Sequence, residues 1–122
     1  TMEILLDHGL DVNQQNEAGM SSLFLTRNSE KMNILLSHGA DVNLRDSNGN
    51  TPLMYRVRKR FDKDILAILM DHGAEINAQD KQGNTALMIA ALADENVLAD
   101  LLDAGADINM QVLYAVYFYP LI

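Results

Sequence analysis

The chain has 122 residues, 48% of them hydrophobic, no cysteine and a net charge of −8. That length suits one domain with a buried core, and without cysteine neither disulfides, thiolate metal sites nor thiol nucleophiles can form. The acidic balance argues against nucleic acid and anionic membrane as partners, because both are bound by clustered Lys and Arg.

The chain opens inside a helical pattern. Met2, Leu5 and Leu6 stand seven, four and three places before Gly9, the i, i+3, i+4 stripe of a helix with one buried face. Gly9 ends that helix, since a residue without a β-carbon enters the left-handed region cheaply after the last turn. The stretch Leu5-Leu6-Asp7-His8-Gly9-Leu10-Asp11-Val12-Asn13 returns from Leu35 to Asn43, from Leu69 to Asn77 and from Leu101 to Asn109. Its glycines lie 30, 34 and 32 residues apart, which marks a stacked repeat array. The apolar stripes return with it, as Met32/Leu35/Leu36, Leu66/Leu69/Met70 and Leu98/Leu101/Leu102.

A second tract keeps phase with the first. Gly19-Met20-Ser21-Ser22-Leu23, Gly49-Asn50-Thr51-Pro52-Leu53 and Gly83-Asn84-Thr85-Ala86-Leu87 each begin ten residues after a repeat glycine. Ser21, Thr51 and Thr85 are expected N-caps of a second, shorter helix, with Pro52 at the first helical position. Each unit therefore reads turn, helix, helix, turn. Such a pair cannot bury its apolar face alone, so the units are expected to stack into an elongated all-α solenoid.

At these residues the chain resembles the ankyrin-repeat family, whose pattern runs D-x-x-G-x-T-P-L-H-x-A-A and later L-L-x-x-G-A-D-V-N. Asp46, Gly49, Thr51, Pro52, Leu53, Leu69, Gly73, Ala74 and Asn77 carry the match in the third unit. Asp80, Gly83, Thr85, Leu87, Ala90, Ala91, Leu101, Leu102, Gly105, Ala106, Asp107 and Asn109 carry it in the fourth. The resemblance implies stacked helix-turn-helix units joined by β-turn or hairpin fingers over residues 1–111, divided as a partial unit 1–15 and units 16–45, 46–79 and 80–111. Residues 112–122 then form an apolar tail or degenerate cap.

Several positions depart from the family pattern. Phe24, Met54 and Met88 replace the histidine after T-P-L, so the hydrogen bonds that histidine makes to neighbouring turns are not expected. Unit two is three residues short and unit three one long, which predicts irregularity near residues 26–31 and 59–63. Arg56 stands where the family keeps a small Ala, with Thr26 as its counterpart in unit two. Its guanidinium is expected either to reach solvent past its apolar stem or to displace the neighbouring helix. Both ends read as cut, consistent with a fragment of a longer protein. The uncharged tail holds three of the four tyrosines and has three readings: a cover over unit four, an apolar strand-like segment for self-association or partner docking, or a remnant of cloning or truncation.

The residues that could carry chemistry mostly recur in register. His8, His38 and His72 share one place in the last turn of a helix, where an imidazolium suits the negative helix end. Stacking sets them one repeat apart, too far to share a metal ion. The carboxylates repeat likewise before and after the glycine, as turn-formers and solvated charge. No catalytic triad, phosphate-cradling glycine loop or His-x-x-x-His helix is present. No enzyme activity, cofactor or metal is therefore expected. The absence of a signal peptide and of an apolar run of roughly 18 residues predicts a cytoplasmic setting, with the nucleus, or a host cytosol for an effector, as alternatives.

Charge is unevenly placed: residues 1–15 carry −3, the two middle units balance to zero, and residues 80–111 carry −5. Against that background stands Arg56-Val57-Arg58-Lys59-Arg60 with Lys63 close behind. These bases are either a solvated turn neutralised by Asp62, Asp64 and the fourth unit, or a contact for an acidic partner through Arg58 and Lys59.

The resemblance further implies a protein-binding groove built from turn tips and first helices. Carried over by position, its candidates are Gln15, Glu17, Ala18 and Met20 in unit two, Arg45, Ser47, Asn48 and Asn50 in unit three, and Gln79, Lys81, Gln82 and Asn84 in unit four. Leu92 and Ala93 would extend the surface apolarly. Asn13, Asn43, Asn77 and Asn109 match the asparagine that is a hydroxylation target in some family members, with structural turn duty as the other reading. The expected function is a non-catalytic interaction module for a protein partner. The alternative is an architectural or self-assembling segment of a larger enzyme, channel or pathogen effector.

Overall fold

The computed structural model describes residues 2–59, 61–109 and 112. They form seven helices and no strand: α1 Met2–Asp7, α2 Ser22–Leu25, α3 Ser29–Ser37, α4 Pro52–Lys59, α5 Lys63–Asp71, α6 Ala86–Ala91 and α7 Glu95–Asp103. The first helices of successive units pack in a row, α2 on α4 and α4 on α6, while α3 packs on α5. Within units α2 meets α3 and α6 meets α7.

The periodic leucines explain the stacking. Leu23, Leu53 and Leu87 are buried at the same place in α2, α4 and α6, and Leu35, Leu69 and Leu101 at the same place in α3, α5 and α7. Each contributes roughly 1.5–3 kcal/mol on burial, and all six belong to one hydrophobic cluster that runs through the units. Phe24 and Met54, at 0% and 1% exposure, fill the family histidine's position with apolar volume. Leu5 departs from the stripe. It is 56% exposed, whereas Leu35 is 2% exposed, because among the described residues no first helix of its own unit lies over α1.

The helix ends follow their residue types. Thr51 and Thr85 accept from the amides of Met54 and Met88 at 3.3 Å, and Asn28, Asp62 and Asp94 cap α3, α5 and α7. Ser21 makes no such bond, and its buried Oγ has no partner. The three residues missing from unit two shorten α2 to a single four-residue turn. Irregularity expected at 26–31 is thus concentrated in the end of α2 and the link Thr26–Asn28, after which α3 runs regularly.

Asparagine side chains stitch the second turns together. Asn13 donates to the Gly39 carbonyl (3.1 Å) and accepts from the Asp41 amide (2.7 Å). Asn43 repeats both bonds with Gly73 and Glu75, and Asn77 accepts from the Asp107 amide. An amide side chain supplies donor and acceptor together, which is why the turn duty expected of these asparagines extends to the neighbouring unit. The tail beyond Val112, with its proposed self-association or capping, lies outside the described residues.

Candidate functional site

Three fingers project beside the first helices, and each is folded by one side chain. Asp46 Oδ1 accepts from the amides of Asn48 and Asn50, both at 2.9 Å. Asp80 does the same with Gln82 and Asn84, and Asn16 with Ala18 and Met20. A carboxylate or amide oxygen two residues ahead of the amides it accepts from closes an Asx turn. Fingers then pair with one another: the Ser47 amide donates to the Ala18 carbonyl (3.0 Å) and the Lys81 amide to the Asn48 carbonyl (3.1 Å). Gly19 and Gly49 sit at these crossings with positive φ, and a β-carbon on them would stand 2.7 Å from Ser47 N and 2.8 Å from Lys81 N. Glycine is required there twice over, for backbone conformation and for the close approach.

The pairing opens a shallow cleft of ≈ 530 Å³ across all three fingers and the face of α4. Of the candidates from sequence, Ala18, Met20, Ser47, Asn48, Asn50, Arg58, Lys59, Lys81 and Gln82 line it together. Asn84 and Leu92 line a smaller neighbouring cleft of ≈ 210 Å³, which shares Arg58 with the first. Gln15, Arg45 and Gln79 lie outside the cleft and clip the finger bases. Gln15 donates to the carbonyls of Gly19 and Arg45, and the Arg45 guanidinium donates to those of Gly49 and Gln79. Gln79 in turn reaches Gly83. Glu17 and Ala93 are exposed.

Three lining residues were not among the candidates: Asp46, Tyr55 and Asp80. The two acids read in sequence only as family-pattern turn residues. Tyr55, two places beyond the buried Leu53, could have been found as the outward position of the same helix.

The cleft's charges differ in availability. Arg58 donates to Asp80 Oδ2 at 2.7 Å and to Asn50 Oδ1 at 3.1 Å, so of the acids expected to neutralise the basic run it is the fourth unit's Asp80, and not Asp62 or Asp64, that pairs with Arg58. The Asp80 side chain is only 5% exposed. Burial pushes its carboxyl up, but the amides of Asn84 and Gln82, the Asn84 side chain and Arg58 together outweigh this and hold it below the usual carboxylate range. Asn50 is buried, donating to Asp46 Oδ2 and accepting from Arg58. Lys59 and Lys81 are exposed and appear in none of the ion pairs among the described residues. They are the cleft's available positive charges.

The histidines do not converge. Each ring meets the carbonyl four residues earlier: His8 with Ile4, His38 with Ile34 and His72 with Ile68. Among the described residues no group of three or more His, Asp or Glu side chains could hold a metal ion, and no helix is long and apolar enough to cross a membrane.

A family model described as ankyrin repeats in three copies matches residues 23–112. No curated protein matches the chain.

Proposed function

Because this chain belongs to the ankyrin-repeat family, whose repeats are generally protein–protein interaction modules and typically non-catalytic, we propose that it binds an acidic protein segment in the cleft across its three fingers. The observation that carries this reading is that Lys59 and Lys81, exposed and in none of the ion pairs among the described residues, line the cleft together with Tyr55 and Met20. An aromatic and a thioether supply adaptable apolar contact, and the lysines select for carboxylates. Because the fingers are hydrogen-bonded to one another before any partner arrives, little ordering cost opposes binding.

Charge reversal tests the reading. Lys59→Glu/Lys81→Glu should weaken an isolated acidic partner by at least about tenfold, measured by calorimetry at low salt, with unchanged thermal unfolding. Equal affinity of variant and parent would remove the acidic-cleft reading. Arg58 is unsuited to this test, since its loss would strand the buried Asp80 carboxylate.

An architectural role has its own support. Ile4, Leu5 and Leu10 are exposed beside α1, and Ile108 is 58% exposed beyond α7, apolar surface at both ends of the stack of the kind that neighbouring units cover in a solenoid. Light scattering should then show concentration-dependent association that Leu5→Lys abolishes. A monomer at all concentrations would reject it.

A further inference from the structure

Arg56 resolves in a way neither sequence expectation allowed. It is 3% exposed, so it does not reach solvent, and α4 still packs on α2. Its Nη2 donates to the Phe24 carbonyl at 2.6 Å, at the end of α2, and its guanidinium carbon lies 5.0 Å from the centre of the Tyr55 ring. Its Nε is buried with no hydrogen-bond partner. None of the ion pairs among the described residues includes Arg56 or Arg27.

A buried guanidinium without a counterion is costly, and here a second one faces the same space. Arg27 and Arg56 line a cleft of ≈ 370 Å³ with Phe61, Asp62 and Ile65. Burial lowers the pKa of Arg56; the Tyr55 phenol opposes that shift, and the nearby Arg27 charge adds to it. Asp62 is the one acid of the cleft, and its Oδ1 accepts from the Asp64 amide at 2.8 Å as the N-cap of α5. The cleft is therefore lined by two guanidiniums that enter none of the ion pairs among the described residues, one of them carrying a buried N–H without a hydrogen-bond partner, and by apolar walls from Phe61 and Ile65.

We propose that this cleft is a phosphomonoester site, in which Arg27 and Arg56 hold the phosphate oxygens and the organic part rests on Phe61 and Ile65. A phosphate has enough acceptor oxygens to take the Arg27 fork and, with a shift of the Arg56 side chain that uncovers its buried Nε, that N–H as well, and its two negative charges match two guanidiniums, where a carboxylate matches one. The site lies on different residues from the finger cleft and does not depend on that reading.

The test is a titration of the full chain at matched ionic strength with inorganic phosphate, phenyl phosphate, a phosphotyrosine peptide and acetate, following the Arg Nε–H signals by NMR. Phosphate and phenyl phosphate should shift the Arg56 Nε–H saturably, with phenyl phosphate tighter. Peptide binding equal to phenyl phosphate would assign the phosphate to a modified protein, and weaker peptide binding to a small molecule. Arg27→Gln, an exposed substitution that leaves the core intact, should weaken phenyl phosphate about tenfold, and Asp62→Asn should tighten it. No saturable shift, acetate binding as tight as phosphate, or an Arg27→Gln chain that titrates like the parent would each overturn the proposal.

Discussion

Glycine shows most clearly how one position can answer to two constraints. All seven glycines have positive φ, but only Gly19 and Gly49 also have a neighbouring backbone within 3 Å of where a β-carbon would lie; Gly83 and Gly105 have nothing within 4 Å. The conformational penalty for a β-carbon in the left-handed region is about 1–2 kcal/mol. Gly83→Ala should cost about that much, whereas Gly49→Ala should cost at least about 1 kcal/mol more because the Lys81 amide must move. Urea unfolding of the two variants checks this, and equal losses would mean the crossing is soft. The repetition made these glycines legible as turn residues, but the close approach was not, because it depends on the next finger and not on local sequence. Arg56 was illegible for a related reason: its placement depends on α2 ending at Leu25, with the Phe24 carbonyl free to accept.

At the scale of elements, the helix register was readable and the junctions were not. The leucine stripes place every second helix correctly, yet Leu5 is exposed because a stripe states which face is apolar and not what covers it. Nor did the last-turn histidines reveal that one of them joins two helices. His38 at the end of α3 donates from Nδ1 to the Ile34 carbonyl and reaches Asp7 of α1 from Nε2 at 3.0 Å. The backbone bond first and then Asp7 raise its pKa above 6.5, against a smaller opposing effect of burial. A group with a raised folded pKa stabilises the fold fully below its unfolded value and loses that contribution as pH rises through the folded one. The parent chain should therefore exceed His38→Gln in stability below pH 6.5, and the difference should shrink as pH rises above that value and through the raised folded one. Urea midpoints across that range check it. A gap that is constant, or that widens with pH, would show that protonated His38 is not the stabilising form.

For the whole molecule, the family, the all-helical stack and the finger positions follow from two phase-locked tracts in the sequence, since each unit's buried leucines recur wherever the tracts do. The sequence could not separate cleft-lining residues from clamps. Arg45 and Gln79 share the varied-turn signature of Ser47 and Lys81, yet the first two are spent on neighbouring carbonyls and the last two face the cleft. Charge behaves similarly. Arg58 and Lys59 are adjacent in sequence, but one is bound to a buried carboxylate and the other enters none of the ion pairs among the described residues.

In the proposed function the three fingers and α4 act as one preformed surface for an acidic protein. Amide hydrogen exchange of the chain with and without such a partner tests it most directly. Slowed exchange should appear together at residues 18–20, 46–50 and 80–82 and on α4. Protection confined to α3, α5 and α7, with the fingers exchanging as in the free chain, would contradict it.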